Sequence, residues 1–497
     1  MKWKSLFSKE EDTTKGFLVE TSDKIQQGEN HNDTSKNQNL YKGPILDTSP
    51  SEFEYLPLPE LTGIQLGSYP AYLKSEKQNT AYGLFWTFAD LENYNSALEG
   101  ILFFLQNKEK TNVKYTVRED ETLSFEIIHE LCKVEGFFDG KVLHASTLIA
   151  RKKENDPYLM KRLIYRNDGM RYCRIAIQNE DEIVNVLNLR TTAISPETLI
   201  EAFIELVYGV EDVQYLLQKE FKKDVLPFDE SLRISLPEKE VETKCFYTRK
   251  WIGEITSFLD AHQQKDFKNM NTYLPGLLIR RIMYLCGPID PLRSLLYKVD
   301  NPLYRVEIRK GYSVDELYKL SMKEMEAIKV ISDEQLKASF VRVTSTFQVY
   351  KKFSYEEASE GFGYDFIVNA AKNASKRGQV DYSLYLLESA MIYLLHNFQI
   401  SYFLRGICHL ELMVIHADYF KELGILPDNA LNENGIPQEV YVKNYFHAIH
   451  ENNKDTSSEL IDYTISDLNY NSVYDFCMSL CELMLPLTIS LQKNKQS

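Results

Sequence analysis

No stretch of this chain is apolar for long enough to cross a bilayer as a helix, which takes roughly twenty such residues. The nearest approach, Tyr382 to Ile415, is broken by Glu388, His396, Asn397, Arg405, His409 and Glu411. Seven cysteines (Cys132, Cys173, Cys245, Cys286, Cys408, Cys477 and Cys481) are scattered without a recurring spacing. An odd, dispersed set does not read as a disulfide framework. No export signal is visible either, because Met1–Lys9 runs into Glu10-Glu11-Asp12 where an apolar core belongs. The Trp3/Leu6/Phe7 cluster reads as a solvated start rather than a membrane contact. The expectation is a cytoplasmic protein with no membrane span.

Catalytic signatures are also sparse. His129-Glu130-Leu131-Cys132-Lys133 begins like a zinc-protease helix, but Lys133 stands where the second histidine must be. Glu360-Gly361-Phe362-Gly363-Tyr364 lacks the Lys-Ser/Thr of a phosphate loop and reads as a kink or tight packing point between two helices. There is no Gly-x-Ser-x-Gly turn. Among nine histidines, His447 and His450 lie three apart near Glu451 and Asp455, and His409 and His416 lie two turns apart near Glu411 and Asp418. A metal needs three or more arranged ligands, so the first pair reads as a polar helix end and the second as core or boundary histidines. Cys477 and Cys481 share a helix face, as half a metal site would, yet without a second pair they read as small apolar residues beside Leu480 and Met484. No catalytic, cofactor-binding or metal residue is assigned, and no cofactor is expected.

What the chain has in excess is negative charge. Its formal net charge is −15, which repels phosphate backbones and excludes nucleic acid as the expected partner. With 497 residues it is too long for one core, so two or three domains are expected. The polar residues 1–50 read as a disordered arm, and residues 51–80, with Phe53, Tyr55, Leu56, Leu58 and Tyr72 among prolines, as an extended strap. From Ala81 to Phe221 helical and alternating periods mix. Tyr82–Gln106 and Leu123–Val134 read as helices, Val113–Val117 as a strand, and Phe137–Ala150 as a hairpin turning at Asp139-Gly140. Pro157–Asn167 reads as a helix, Tyr172–Gln178 and Glu182–Arg190 as paired strands, and Ser195-Pro196 as the cap of a further helix. Residues 222–244 read as a charged linker.

Residues 245–497 keep a helical period. Helices are expected over Phe246–Gln264, Leu274–Cys286, Ser313–Val330, Asp333–Phe353, Glu356–Lys376, Asp381–Phe398, Tyr402–Leu423, Glu439–Asn452 and Ser472–Leu485. Breaks are expected at Gly287-Pro288, Asn301-Pro302 and Pro427-Asp428, and Leu384–Leu395, apolar nearly all round, marks a central helix. The 32 tyrosines, among them Tyr382, Tyr385, Tyr393, Tyr402 and Tyr419, suit core boundaries first and contact surfaces second. The fold class is thus an α+β domain, an antiparallel sheet with packed helices, followed by an all-α domain.

One run carries a resemblance. An apolar helix ending in Arg166-Asn167, the strand Tyr172–Ile177, the acidic turn Asn179-Glu180-Asp181, the strand Ile183–Leu189, the helix opened by Ser195-Pro196-Glu197, and Asp212 together resemble the YbjN-like family, which shares its fold with type III secretion chaperones. The resemblance covers residues 159–212 and implies an α/β sandwich that binds protein, with dimerisation common and no cofactor. The family has three strands before its middle helix, where this sequence offers two and a third by recruiting Val113–Val117. The helical half resembles nothing named. The leading expectation is a bacterial, non-catalytic adaptor or chaperone-like protein whose partner is another protein, a homodimer being one form of that. The other expectation is an enzyme or ligand-binding protein with a site at His409, Glu411 and His416.

Overall fold

The computed structural model of the protein describes residues 64–66, 74–107, 110–118, 122–154, 156–221, 225–226, 232–261, 273–304, 313–347, 353–360, 363–453 and 457–494. The polar arm and most of the strap lie outside these.

The α+β half opens with three helices, α1 Glu76–Gly83, α2 Phe85–Asp90 and α3 Tyr94–Leu105, where one was expected. Ser75 and Gln78 form a capping box on α1, Glu92 turns the chain at φ 57°, and Asn93 accepts the Ser96 amide to start α3. Four strands follow, β1 Val113–Val117, β2 Leu123–His129, β3 Cys132–Phe138 and β4 Val142–Lys152. Then come α4 Pro157–Asn167, β5 Cys173–Gln178, β6 Glu182–Arg190 and α5 Pro196–Glu220, in positions close to those the sequence indicates. All pairings are antiparallel, in the order β1-β2-β3-β4-β6-β5, and a short β7, Val225–Leu226, adds to β4.

The helix expected over Leu123–Val134 is instead the β2–β3 hairpin. Leu123, Phe125, Ile127 and His129 are buried in strict alternation, a period of two that Ile127-Ile128 and Leu131 obscure. Its turn, Glu130-Leu131, carries none of the usual Asn-Gly or Asp-Gly signal. Glu130 sits at φ 51°, held there by tertiary partners described below. The next turn is the expected one: Gly140 takes φ 89°, and the Asp139 carboxylate accepts the amides of Lys141 and Val142.

The inner face of the sheet is covered by α3 and α5. Leu98, Ile101 and Leu102 of α3 meet Leu123, Phe125, Leu143 and Phe203, with the Phe125 and Phe203 rings 5.7 Å apart, edge to face. Asn185, fully buried in β6, donates to the Leu206 carbonyl of α5 at 2.8 Å and so ties sheet to helix.

Among the described residues the second half is helical apart from a two-stranded pair, β8 Ile234–Ser235 with β9 Val341–Arg342, and connecting turns. Its helices are α6 Glu238–Ala261, α7 Tyr273–Leu285, α8 Leu292–Tyr304, α9 Val314–Lys329, α10 Asp333–Ala338, α11 Tyr355–Ser359, α12 Tyr364–Lys376, α13 Val380–Asn397, α14 Tyr402–Ile415, α15 Ala417–Glu422, α16 Glu439–Asn453, α17 Ser458–Ser466 and α18 Val473–Asn494. The core helix expected over Leu384–Leu395 is α13, packed on α7, α12, α14 and α18.

Several boundaries differ from the sequence reading. Residues 238–244, read as linker, begin α6, where Lys244 and Glu240 form a buried ion pair at 2.8 Å. Asn301-Pro302, read as a break, lies inside the last turns of α8, a helix the sequence reading missed, as it missed α17. The helix expected over Asp333–Phe353 stops at Ala338, because the chain turns into strand at Val341–Arg342, where buried Val341 and Val343 flank exposed Arg342. Gly363 separates α11 from α12. A Cβ there would stand 2.2 Å from the Ala358 carbonyl oxygen, so the glycine serves close packing, as read.

The two halves keep separate cores, yet the described residues from Ile64 onward form one compact unit. Segment 341–347 joins the cores. It belongs in sequence to the helical half, but Phe347 is buried in the core of the α+β half. The amides of Thr346 and Phe347 both donate to Nδ1 of His129, and the Thr346 hydroxyl donates to the Ile128 carbonyl. The Glu130 amide donates to the Thr344 carbonyl, while its carboxylate meets Arg293 of α8 at 2.6 Å. These contacts hold Glu130 in its left-handed conformation. At residues 64–66, Gln65 accepts the Val343 amide and Leu66 enters the helical core.

Candidate interaction surface and buried ion clusters

The residues that invited a search for chemistry do not converge. On α14, His409 shares a 2.7 Å hydrogen bond with the Tyr284 hydroxyl of α7. Two residues on, Glu411 points elsewhere: Oε2 accepts from the Cys481 thiol at 3.5 Å, and Oε1 is buried with no hydrogen-bond partner. Burial pushes the Glu411 carboxyl well above the usual carboxylate range, which favours the neutral acid. His416, at the α14–α15 break, turns to Glu388 of α13. Three side chains close in sequence therefore serve three separate contacts.

The other candidates behave similarly. His447 and His450 are both half-buried on α16; Nδ1 of His450 has no hydrogen-bond partner, and Asp455 lies outside the described residues. Cys477 and Cys481 are buried in α18, both pushed well up by burial, as a thiol in an apolar core is. Among the described residues no group of three or more His, Cys, Asp or Glu side chains is placed to hold a metal ion. Of the tyrosines singled out, Tyr382 and Tyr419 are buried and Tyr385, Tyr393 and Tyr402 half-buried, as core-boundary packing requires.

The sequence reading missed the most unusual cluster. Arg281 of α7 and Glu388 of α13, both almost fully buried, form a two-pronged pair at 2.7 and 2.5 Å, and His416 adds a third contact to Glu388 at 2.9 Å. The Arg281 guanidinium stands 5.6 Å from the Trp251 ring and 5.1 Å from Tyr385, and the Trp251 ring meets His416 edge-on at 5.1 Å. Burial alone would raise the Glu388 carboxyl, but Arg281 and His416 reverse that and hold it down at about 2. Burial pulls the His416 imidazole below its ordinary value, with Glu388 opposing. The ionised pair is thus locked. Its only signal in the sequence was the Arg280-Arg281 pair and a single Glu inside largely apolar helices, 107 residues apart.

The surface offers a different kind of feature. At one edge of the sheet, β5 is capped by side chains. The Ile175 amide donates to Oδ1 of Asn167 at 2.6 Å and its carbonyl accepts from Nδ2 at 3.0 Å, so Asn167 imitates a neighbouring strand. Glu205 accepts the amides of Arg171, Tyr172 and Cys173. At the opposite edge, the Ile128 amide bonds to the Asn112 carbonyl and the Arg118 amide to the Thr122 carbonyl. The even-numbered residues of β1 therefore face β2, and Tyr115 and Val117 direct their amides and carbonyls outward. Among the described residues no strand pairs with that side. The β5 edge is capped at Cys173 and Ile175, whereas the β1 edge is capped only at Val113, whose carbonyl accepts from Nε2 of Gln106 at 2.8 Å, and is open from there on.

Among the described residues, no helix is long and apolar enough to cross a membrane. Compared with known proteins, the chain matches no family, no curated protein and no solved structure.

Proposed function

We propose that the chain is a non-catalytic, chaperone-like adaptor that binds another protein in the cytoplasm, with Ala81–Phe221 as a YbjN-like unit. The open edge of β1, set against the capped edge of β5, carries this reading. An extended partner segment adds to such an edge through main-chain hydrogen bonds, a common mode of peptide recognition. The order of elements supports the resemblance: α3, the meander β2-β3-β4, α4, the hairpin β5-β6 and α5, with β1 as an added edge strand. Binding through β1 needs no cofactor.

The test is a photo-crosslinking residue at exposed Thr116, introduced in the cells that make the protein. The expected result is a stoichiometric adduct with a second polypeptide. That adduct should be lost with Val117→Pro, which removes an outward amide and leaves the β1–β2 pairing intact. An adduct of twice the chain's mass identifies a homodimer. Recovery of the chain alone would overturn the proposal.

A further inference from the structure

The sheet edge is not the only unpartnered surface. Helix α4 is fixed from below and bare above. Asp156 caps it, Pro157 opens it, Leu159 and Leu163 are buried, and Arg162 is tied to Glu220 of α5 at 2.7 and 3.1 Å. On the outer side, Tyr158, Ile164 and Tyr165 are 57%, 68% and 64% exposed. Spacings of three, four and seven residues place Tyr158, Lys161, Ile164 and Tyr165 on one face. The Tyr158 ring rests 5.6 Å from Phe221, and Lys161 Nζ lies 5.9 Å from the Tyr165 ring, so both tyrosines have neighbours that orient them. A rigid helix that keeps large apolar side chains in water gains nothing from them in the free chain.

Charge narrows what covers them. Between Pro157 and Asn167 the helix carries Lys161, Arg162 and Arg166 and no acidic residue, in a chain whose net charge is −15. A second copy of α4 would set these cations against their own images. An anionic bilayer or nucleic acid extends past the helix and meets the acidic remainder of the chain, whereas a short segment contacts the helix face alone. A polypeptide segment that interleaves carboxylates with apolar side chains satisfies both features at once.

We propose that the outer face of α4 docks an acidic, amphipathic segment of a partner polypeptide. The aromatic rings and Ile164 take its apolar side chains, and Lys161 takes its carboxylates. The inference rests on the protein-binding reading and names a second contact for it, on a different element from β1.

The test uses the full chain and two fluorescent probe peptides with Leu and Phe at every third or fourth position. In one the intervening residues are glutamates, in the other lysines. Anisotropy should show the glutamate peptide binding at least tenfold more tightly than the lysine peptide. Its binding should weaken at least tenfold with Lys161→Glu, and be lost when Tyr158, Ile164 and Tyr165 are all changed to Ser. Equal binding of the two peptides, or binding that survives the serine variant, would overturn the proposal. So would two other results: self-association in analytical ultracentrifugation that the serine variant abolishes, or sedimentation with phosphatidylserine vesicles that it abolishes. A partner still crosslinked at Thr116 while the peptide arm fails would sink the α4 proposal alone. Loss of the Thr116 adduct with peptide binding intact would sink only the β1 reading.

Discussion

The two halves of this protein handle polar groups in opposite ways. In the α+β half, ion pairs such as Arg162–Glu220, Lys133–Glu126 and Lys133–Glu135 lie at the surface, and side-chain amides and carboxylates are spent on closing one sheet edge. In the helical half, Arg281, Glu388 and His416 sit inside, and Glu411 is buried without a charge partner. A sheet satisfies its own backbone only between strands, so its polar problem lies at the margins. Helices satisfy theirs internally, and polar side chains between them must find each other. The first half invites contacts at its rim, whereas the second fixes how its helices sit.

The comparison breaks most visibly at the buried pair. Glu388→Ala strands Arg281 in the core and is expected to cost about 3–5 kcal/mol. The double change Arg281→Met with Glu388→Leu should cost far less, because replacing a buried pair by apolar side chains is often neutral. Urea unfolding of the three proteins decides this, and equal losses would show that the pair is not what is felt.

Next is the join. Phe347→Ala removes a helical-half residue from the α+β core, at an expected cost of about 3 kcal/mol or somewhat more. If the cores depend on each other, far- and near-ultraviolet signals should shift together. A shift confined to one transition would make the halves independent.

Acid sharpens the same point. Burial pulls the His129 imidazole down to about 4, with Glu130 opposing and Arg293 adding to the effect. Folded His129 stays neutral where the unfolded residue takes a proton, so its contribution is complete above pH 6.5 and disappears as pH falls towards 4. The difference amounts to about 3 kcal/mol. Glu388, held at about 2, begins to lose its share only below about pH 4.5. Urea midpoints between pH 7 and 4.5 should therefore fall in the parent and hold steadier in His129→Asn, whose carbonyl still accepts amides. Parallel slopes would remove His129 from the account.

The smallest effect is at the rim. Asn167→Ala uncaps Ile175 and is expected to cost about 1–2 kcal/mol. The exposed edge should also raise light scattering during storage, and unchanged scattering would mean that β5 is protected by something else.

Much of the α+β half was legible, because its later elements carry their own signals. Ser195-Pro196 caps a helix, Asp139-Gly140 turns a hairpin, and Glu182–Arg190 alternates. The β2–β3 hairpin was not legible, because its turn is set by Glu130 reaching Arg293 and Thr344, far along the chain. The helical half showed its periods but not its partners. Nothing local says that Arg281 meets Glu388, or that His409, Glu411 and His416 look in three directions. The contrast between the sheet's edges, on which the proposed function rests, likewise depends on Asn167 and Glu205 folding back across sequence gaps.

The placement of Phe347 has a consequence for how the protein is made. The α+β half is complete in sequence near Phe221, yet its core waits for a side chain synthesised about 125 residues later, roughly ten seconds behind at usual elongation rates. During that interval a nascent chain carries the hollow that Phe347 later fills, next to an unpaired β1 edge.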